Sequence, residues 1–366
     1  MEWIKAVIVP LAAMSSLAQA QDVLKVYNWA DYIDPAVVAD FERQSGVKVD
    51  YRQFATSGEM LESLDRGELY DVIVPTSDSV LVKLLQEQRL QPVRTDTLTN
   101  YASVSPDLQI KISAIQQAHR YVVPYMWGSV GLFVNTQLVA PLYGGELPNS
   151  WSLLFEPQQT ARLSACGVSL LNAQEEVFSI WSAYKGRSLG SSGPSRIAAA
   201  APLIRNPGVH IGPPEFSAYI EQMRTGKVCA GMAWSGLVNA ANDDGKLRYS
   251  IPAEGSLLFI DSLAIPANAP NPALAHRFID FMLAPENAVR NARAIHFTPS
   301  LDLSREEYRS LLPKLSVPSK EELRRLHFLE PISEKQKAAI DEGWQQYIVK
   351  HRAEPQPLAP KGREGG

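Results

Sequence analysis

From residue 23 onward, short β-rich runs alternate with stretches whose apolar positions recur at helical spacing. Residues 24–27 read as a strand. Residues 35–45 place Val37, Val38 and Phe41 on one helical face, and Gly46 ends that helix. A second strand is expected over 47–52, and a second helix over 58–66, closed by Gly67. Residues 71–74 are fully apolar after Asp71 and bounded by Pro75, which suits a buried parallel strand. Residues 79–88 are helical again. This βαβαβ order predicts an α/β fold, an open sheet covered by helices on both faces. The strongly apolar stretch 121–135 predicts a strand crossing between two lobes, with Gly128 and Gly131 allowing backbone turns. Beyond it, helices are expected to open at Trp151-Ser152 and to cover 174–184, 216–225 and 235–242, with strands over 168–171 and 228–233. A strand over 257–265 returns to the first lobe, and amphipathic helices follow over 273–283 and 286–294. No internal repeat is visible.

A chain of 366 residues predicts two domains of about 150 residues each. Charged residues make up 20% and hydrophobic ones 45%, which excludes a generally disordered chain. With a formal net charge of −4 and no lysine- and arginine-rich segment, the chain offers no stripe for nucleic acid. Residues 1–20 read as a secretion signal: Lys5 precedes an apolar stretch over 6–17, and Ala18-Gln19-Ala20 fits a small-x-small cleavage pattern. That stretch is too short for a comfortable membrane span, and no cysteine follows it to carry a lipid. The mature protein, cleaved after Ala20, is therefore expected in the periplasm and not embedded in the membrane. The tail from Glu354, with Pro355, Pro357, Pro360 and Gly365-Gly366, is expected to be disordered. Cys166 and Cys229 are the only cysteines; a disulfide suits an oxidising compartment, and two buried thiols are the alternative. A bridge between them closes a loop worth roughly 4 kcal/mol in the chain-entropy model.

Ligands of open α/β sheets bind beyond the carboxyl ends of the strands. Trp29-Ala30-Asp31-Tyr32 and Thr76-Ser77-Asp78-Ser79 fall there. Two aromatics beside a carboxylate can hold a small organic cation, the rings through their faces and the anion through charge. Each position also has a plainer role. Asp31 can cap the helix that follows, and Ser77 or Ser79 can cap the one after Pro75. Glu176 can be a solvated helix charge, and Trp127 and Trp234 can be core. Asp261 resists such a reading, because it interrupts an apolar strand and must be paired or face a cavity. Catalytic patterns are absent from the sequence. The six histidines lack the spacing of a metal pair, Trp234-Ser235-Gly236 lacks the first glycine of a nucleophile elbow, and there is no phosphate or dinucleotide fingerprint. Glu175 and Glu176 point to different helix faces. Binding without turnover, cofactor or metal is expected.

Six segments in order, Tyr27-Asn28-Trp29-Ala30-Asp31-Tyr32-Ile33, Asp71-Val72-Ile73-Val74-Pro75-Thr76, Pro124-Tyr125-Met126-Trp127, Cys166-Gly167-Val168-Ser169, Glu175-Glu176-Val177-Phe178 and Met232-Ala233-Trp234-Ser235-Gly236, resemble the periplasmic polyamine-binding proteins of ABC transporters, especially the putrescine-binding branch. The resemblance runs from residue 24 to about 298 and continues more weakly to 350. It implies a type II periplasmic binding protein fold: two lobes, each an open, mainly parallel sheet with helices on both faces, hinged around a ligand cleft. Lobe 1 is then expected over 22–125 and 257–300, and lobe 2 over 126–256 and 301–350, with 351–366 as tail. A monomer is expected, with a small cationic amine as ligand and an inner-membrane permease as partner. Trp29, Asp31 and Tyr32 match the family's first-lobe amine site, and Thr76 a hydroxyl position. Glu176 matches a second-lobe acid, Trp234 and Phe259 aromatic walls, and Asp261 the carboxylate anchoring one ammonium. Cys166 and Cys229 fall where putrescine binders carry a disulfide. Three cleft positions depart from the pattern: Ala30 replaces a serine, Leu237 an aspartate and Phe297 a tyrosine. The resemblance thus implies an extracytoplasmic receptor delivering a putrescine- or spermidine-like cation to an ABC importer. The alternative is a periplasmic sensor for a modified or mono-cationic amine, using the same cleft.

Overall fold

The computed structural model describes residues 22–349, apart from Pro207 and Pro214. The expected signal sequence, its cleavage after Ala20 and the expected disordered tail lie outside the described residues. The first half opens with β1 (Val23–Trp29), β2 (Lys48–Phe54) and β3 (Val72–Ile73), all parallel, with β1 between the other two. The next strands are β4 (Leu90–Gln91), the long β5 (Val122–Asn135) and β6 (Val168–Leu170). They are followed by β7 (Val209–Ile211), β8 (Ala230–Trp234), β9 (Leu247–Ser250) and β10 (Ser256–Pro266). The last two are β11 (Thr298–Pro299) and β12 (Leu326–Phe328). The main order is β2-β1-β3-β10-β5-β8-β6-β7, parallel in its two wings and antiparallel at the central β10, β5 and β8.

Alternation along the first-half strands explains the two helical layers. Leu24, Val26, Val72, Val123 and Leu263 face one apolar core, and Tyr27, Ile73, Val122 and Ala264 face another. The helices Pro35–Ser45 and Pro272–Leu283 cover the first face with Val37, Phe41, Phe278 and Ile279. The helices Ser57–Asp65, Ser79–Gln86 and Pro106–Ser113 cover the second with Met60, Leu81, Leu84, Leu108 and Ile112. The helix Pro35–Ser45 is capped by Asp34, which accepts from Ala36 N, and ends at Gly46 with φ 72°. Asp31 therefore plays no capping part. The cap expected at Ser77 or Ser79 falls instead on Asp78, which accepts from Val80 N and Leu81 N. Ser77 Oγ accepts from Ile260 N.

The second half gathers around one core that includes Phe133, Trp151, Phe178, Met232 and Leu237. The Cys166–Cys229 disulfide is formed, its Cα atoms 5.5 Å apart, and it joins the entries of the neighbouring β6 and β8. Two features differ from the sequence reading. Leu301, Leu312, Leu315 and Leu326, expected in the second lobe, pack in the first half's cores, and β12 pairs with β10. The chain returns to the second core only from Leu329 onward, through Leu329, Ile332, Ile340 and Trp344, the last two in and just after the helix Glu334–Gly343. Moreover, Gly128 and Gly131 do not turn the chain, since β5 runs unbroken past both. They make room for rings: a Cβ on Gly128 would lie 2.5 Å from Phe259 Cζ, and one on Gly131 2.3 Å from Tyr249 Cζ.

Candidate functional site

Asp261 sits on β10 at a register shift against β5, and only 5% of it is exposed. Such a bulge re-aims a side chain out of the regular pleat. Tyr32 OH donates to Asp261 Oδ2 at 2.7 Å, and Thr76 forms a bridge with the Asp261 backbone. Burial pushes the Asp261 carboxyl up to about 7, although the Tyr32 and Thr76 hydroxyls draw it down and the charge of Asp78 raises it further. The Tyr32 hydroxyl is itself pushed up, first by burial and then by Asp261. Its backbone is fixed from behind, because Tyr125 OH donates to Tyr32 O at 2.8 Å.

Aromatic rings gather around Tyr32, the partner of this carboxylate. Tyr32 meets Phe297 edge to face at 5.1 Å, and Phe297 meets Phe259 at 6.0 Å. Phe297 also presses on the first turn of the helix Ser235–Ala241, where a Cβ on Gly236 would lie 2.6 Å from the ring. Trp234, at the carboxyl end of β8, packs against the cores of both halves and meets Phe216 edge to face at 5.4 Å. Trp29 leans on Phe54 at 4.6 Å, and its indole N–H is buried without a partner. Trp29, Thr76, Asp78, Glu176, Trp234 and Phe259 are all half-buried.

Glu176 faces this region from the second half, in the first turn of the helix Gln174–Tyr184. Burial pushes its carboxyl up to about 7; its own backbone N–H and Trp234 draw it down, while Glu175 and Asp78 raise it. Its neighbour Glu175 is turned away and forms an ion pair with Lys337 at 3.1 Å. Asp261, Asp78 and Glu176 form no ion pair among the described residues, unlike Glu175. Nor is any group of three His, Cys, Asp or Glu among the described residues placed to hold a metal ion. The arrangement can therefore receive a cation with its own hydrogen-bond donors and apolar surface.

Several expected positions stand apart from this cluster. Asp31 is exposed, has a left-handed φ of 55° and makes no side-chain hydrogen bond among the described residues. Ala30 is exposed, and its N–H donates to Phe54 O at 2.9 Å. Leu237 is buried in the second half's core and so offers no polar atom to the slot. Asp78 was not singled out from the sequence, where only the hydroxyls beside it were weighed, Ser77 and Ser79 as caps and Thr76 as a site residue. Its surroundings, Ser57, Asp261 and Glu176, all lie far from it in sequence.

A family model described as bacterial extracellular solute-binding protein matches residues 36–308. The putrescine-binding periplasmic protein PotF of Escherichia coli K12 is 33% identical over 285 residues, covering 75% of this chain and 76% of PotF. The putrescine-binding periplasmic protein SpuD of Pseudomonas aeruginosa is 30% identical over 348 residues, covering 91% of this chain and 94% of SpuD. Among solved structures, the spermidine/putrescine ABC transporter substrate-binding protein PotD of Streptococcus pneumoniae superposes with a TM-score of 0.74 at 24% identity. It covers 91% of this chain and all of that one, and shows the shared fold.

Proposed function

The chain belongs to the bacterial extracellular solute-binding proteins, and on that premise we propose that it captures a linear polyamine, putrescine- or spermidine-like, for delivery to an ABC importer. The observation that carries this reading is Asp261. It is a nearly fully buried carboxylate, held by Tyr32, whose ring adjoins Phe297 and through it Phe259, with no cation paired to it among the described residues. Burying a carboxylate without a partner is strongly unfavourable, and an ammonium entering the slot would supply that partner. The rings suit the methylenes between ammonium groups, and Glu176 offers a second anion from the other half. Residues 1–20 serve in this reading as the export signal, cleaved after Ala20. The mature protein acts as a monomer in the periplasm, docking on a permease at the inner membrane. No described helix is long and apolar enough to cross a membrane.

Titration calorimetry on protein freed of ligand tests the proposal, with putrescine, cadaverine, spermidine, agmatine and acylated amines as the panel. Saturable one-site binding of at least one unsubstituted polyamine is expected. No heat from any of them would sink the reading.

A further inference from the structure

The turn that carries Tyr32 away from β1 is held by side chains that stand behind it. The sheet fixes the chain as far as Trp29, which pairs with Phe54, and Ala30, whose N–H reaches Phe54 O. Beyond them Asp31 has a left-handed φ of 55°, which a residue other than glycine keeps where its surroundings over-determine it. Asn28 closes the turn from within: its Oδ1 accepts from Trp29 N at 2.8 Å, and its Nδ2 donates to Tyr32 O at 3.4 Å. Tyr125, on β5, donates its hydroxyl to the same carbonyl oxygen at 2.8 Å and meets the Tyr32 ring edge to face at 6.0 Å. Asn291, in the helix Pro285–Ile295, links the two ends of this arrangement. Its Oδ1 accepts from Asp34 N at 2.6 Å, so its Nδ2 faces the Tyr125 hydroxyl oxygen and donates to it. The Tyr125 proton is thereby directed to Tyr32 O. Asn28, Tyr125 and Asn291 are 2%, 3% and 0% exposed, in a core that includes Ile33, Ala288 and Ala292. A leucine at 291 would fill such a core with no polar group to satisfy, so packing alone does not call for asparagine there.

We propose that Tyr125 and Asn291 are positioning residues of the amine site, which touch no ligand and act through the turn to aim the Tyr32 hydroxyl at Asp261. The inference rests on the polyamine-receptor reading and deepens it. The bond from Tyr32 OH to Asp261 Oδ2 is 2.7 Å long, and such a bond weakens steeply when its angle is lost. Fixing the Tyr32 carbonyl and the Asp34 N–H together fixes the backbone on both sides of that ring. Asp261 is then ordered before an ammonium arrives, and the cost of ordering it does not fall on binding.

A double-mutant cycle tests this, with calorimetry of putrescine and spermidine on the wild-type protein, Tyr32→Phe, Tyr125→Phe and the variant carrying both changes. Tyr125→Phe keeps the ring and removes only the hydroxyl. It should lose about ten-fold in affinity for an amine that the wild-type protein binds. Within Tyr32→Phe, which has no hydroxyl to aim, the same change should cost less than about two-fold. Asn291→Ala should lose as much as Tyr125→Phe and add little to it; if it does not fold, the Tyr125 cycle decides. The pH at which affinity rises should move upward in Tyr125→Phe as in Tyr32→Phe, because the Tyr32 hydroxyl draws the Asp261 carboxyl down. Wild-type affinity in Tyr125→Phe, or equal losses in the two backgrounds, overturns the proposal and leaves Tyr125 and Asn291 a part in folding stability alone. Amine binding by the wild-type protein leaves the receptor reading standing in that case. Absence of any amine binding by the wild-type protein overturns both.

Discussion

At the scale of single residues, the site is a set of carboxylates held away from their ordinary ionisation. Burial pushes Asp261 and Glu176 up to about 7 and Asp78 up to about 6, whereas an unfolded chain titrates them near 4. An acid raised on folding contributes stability that is fully present below the unfolded value and lost as pH rises through the folded one. These groups therefore make the empty protein less stable between about pH 4 and pH 7. A bound ammonium favours the ionised form and opposes that loss. Amine affinity is accordingly expected to rise from pH 5 to pH 8, with protons released on binding near pH 6.5. Calorimetry in buffers of different ionisation heat reads that release directly. A flat affinity across the range would show that these carboxyls do not meet the ligand. The burial of Asp261 against a polar partner was legible in the sequence, because a carboxylate within an apolar strand must be paired or face a cavity. The left-handed φ and exposed side chain of Asp31 were not legible, since residue type and strand-end position say nothing of either. Asp78 was passed over because the cap it fills was expected from Ser77 or Ser79.

At the scale of elements, regular patterns gave the sequence reading its reach. Strict alternation in the early strands and helical spacing over Pro35–Ser45 matched the structure, because burial on both faces leaves little freedom of register. Glycines were read less well, since their space-making role depends on what packs opposite. Gly128 admits Phe259, and Gly236 lets the helix Ser235–Ala241 close against Phe297. That second contact joins the halves beside the site, and it is reinforced by Asn239 Nδ2 donating to His296 O at 3.1 Å. Gly236→Ala would put a methyl 2.6 Å from the Phe297 ring, which Tyr32 and Phe259 back from the other side. Overpacking of this kind typically costs about 1–3 kcal/mol. The expected outcome is amine affinity lowered by roughly ten-fold, with a smaller effect on thermal unfolding, because the strain falls on the junction and not within either core. Wild-type affinity in Gly236→Ala would show that Phe297 moves freely and has no part in shaping the slot.

At the scale of the whole molecule, the partition of the chain was the least legible feature. Residues 301–328 consist of short elements with weak periodicity, so only packing shows that Leu312, Leu315 and Leu326 return to the first half. The halves are then joined by β5, by the return into β10, and by the segment leading to the helix Glu334–Gly343. Few connections of this kind permit hinge motion about the slot between them. Asp261 and Asp78 belong to the first half and Glu176 to the second, so the empty slot sets like charges against each other across the junction. A cation that touches both halves converts that repulsion into attraction, and only such differential binding can shift the open-to-closed balance. A ligand meeting Asp261 alone supplies no such bias. Small-angle X-ray scattering should therefore show a smaller radius of gyration with saturating spermidine, and little change with saturating butylamine, which carries one ammonium. In Glu176→Gln the contraction should be reduced while binding at the Asp261 end persists. If spermidine saturates the wild-type protein without contraction, Glu176 does not take part in closing the slot.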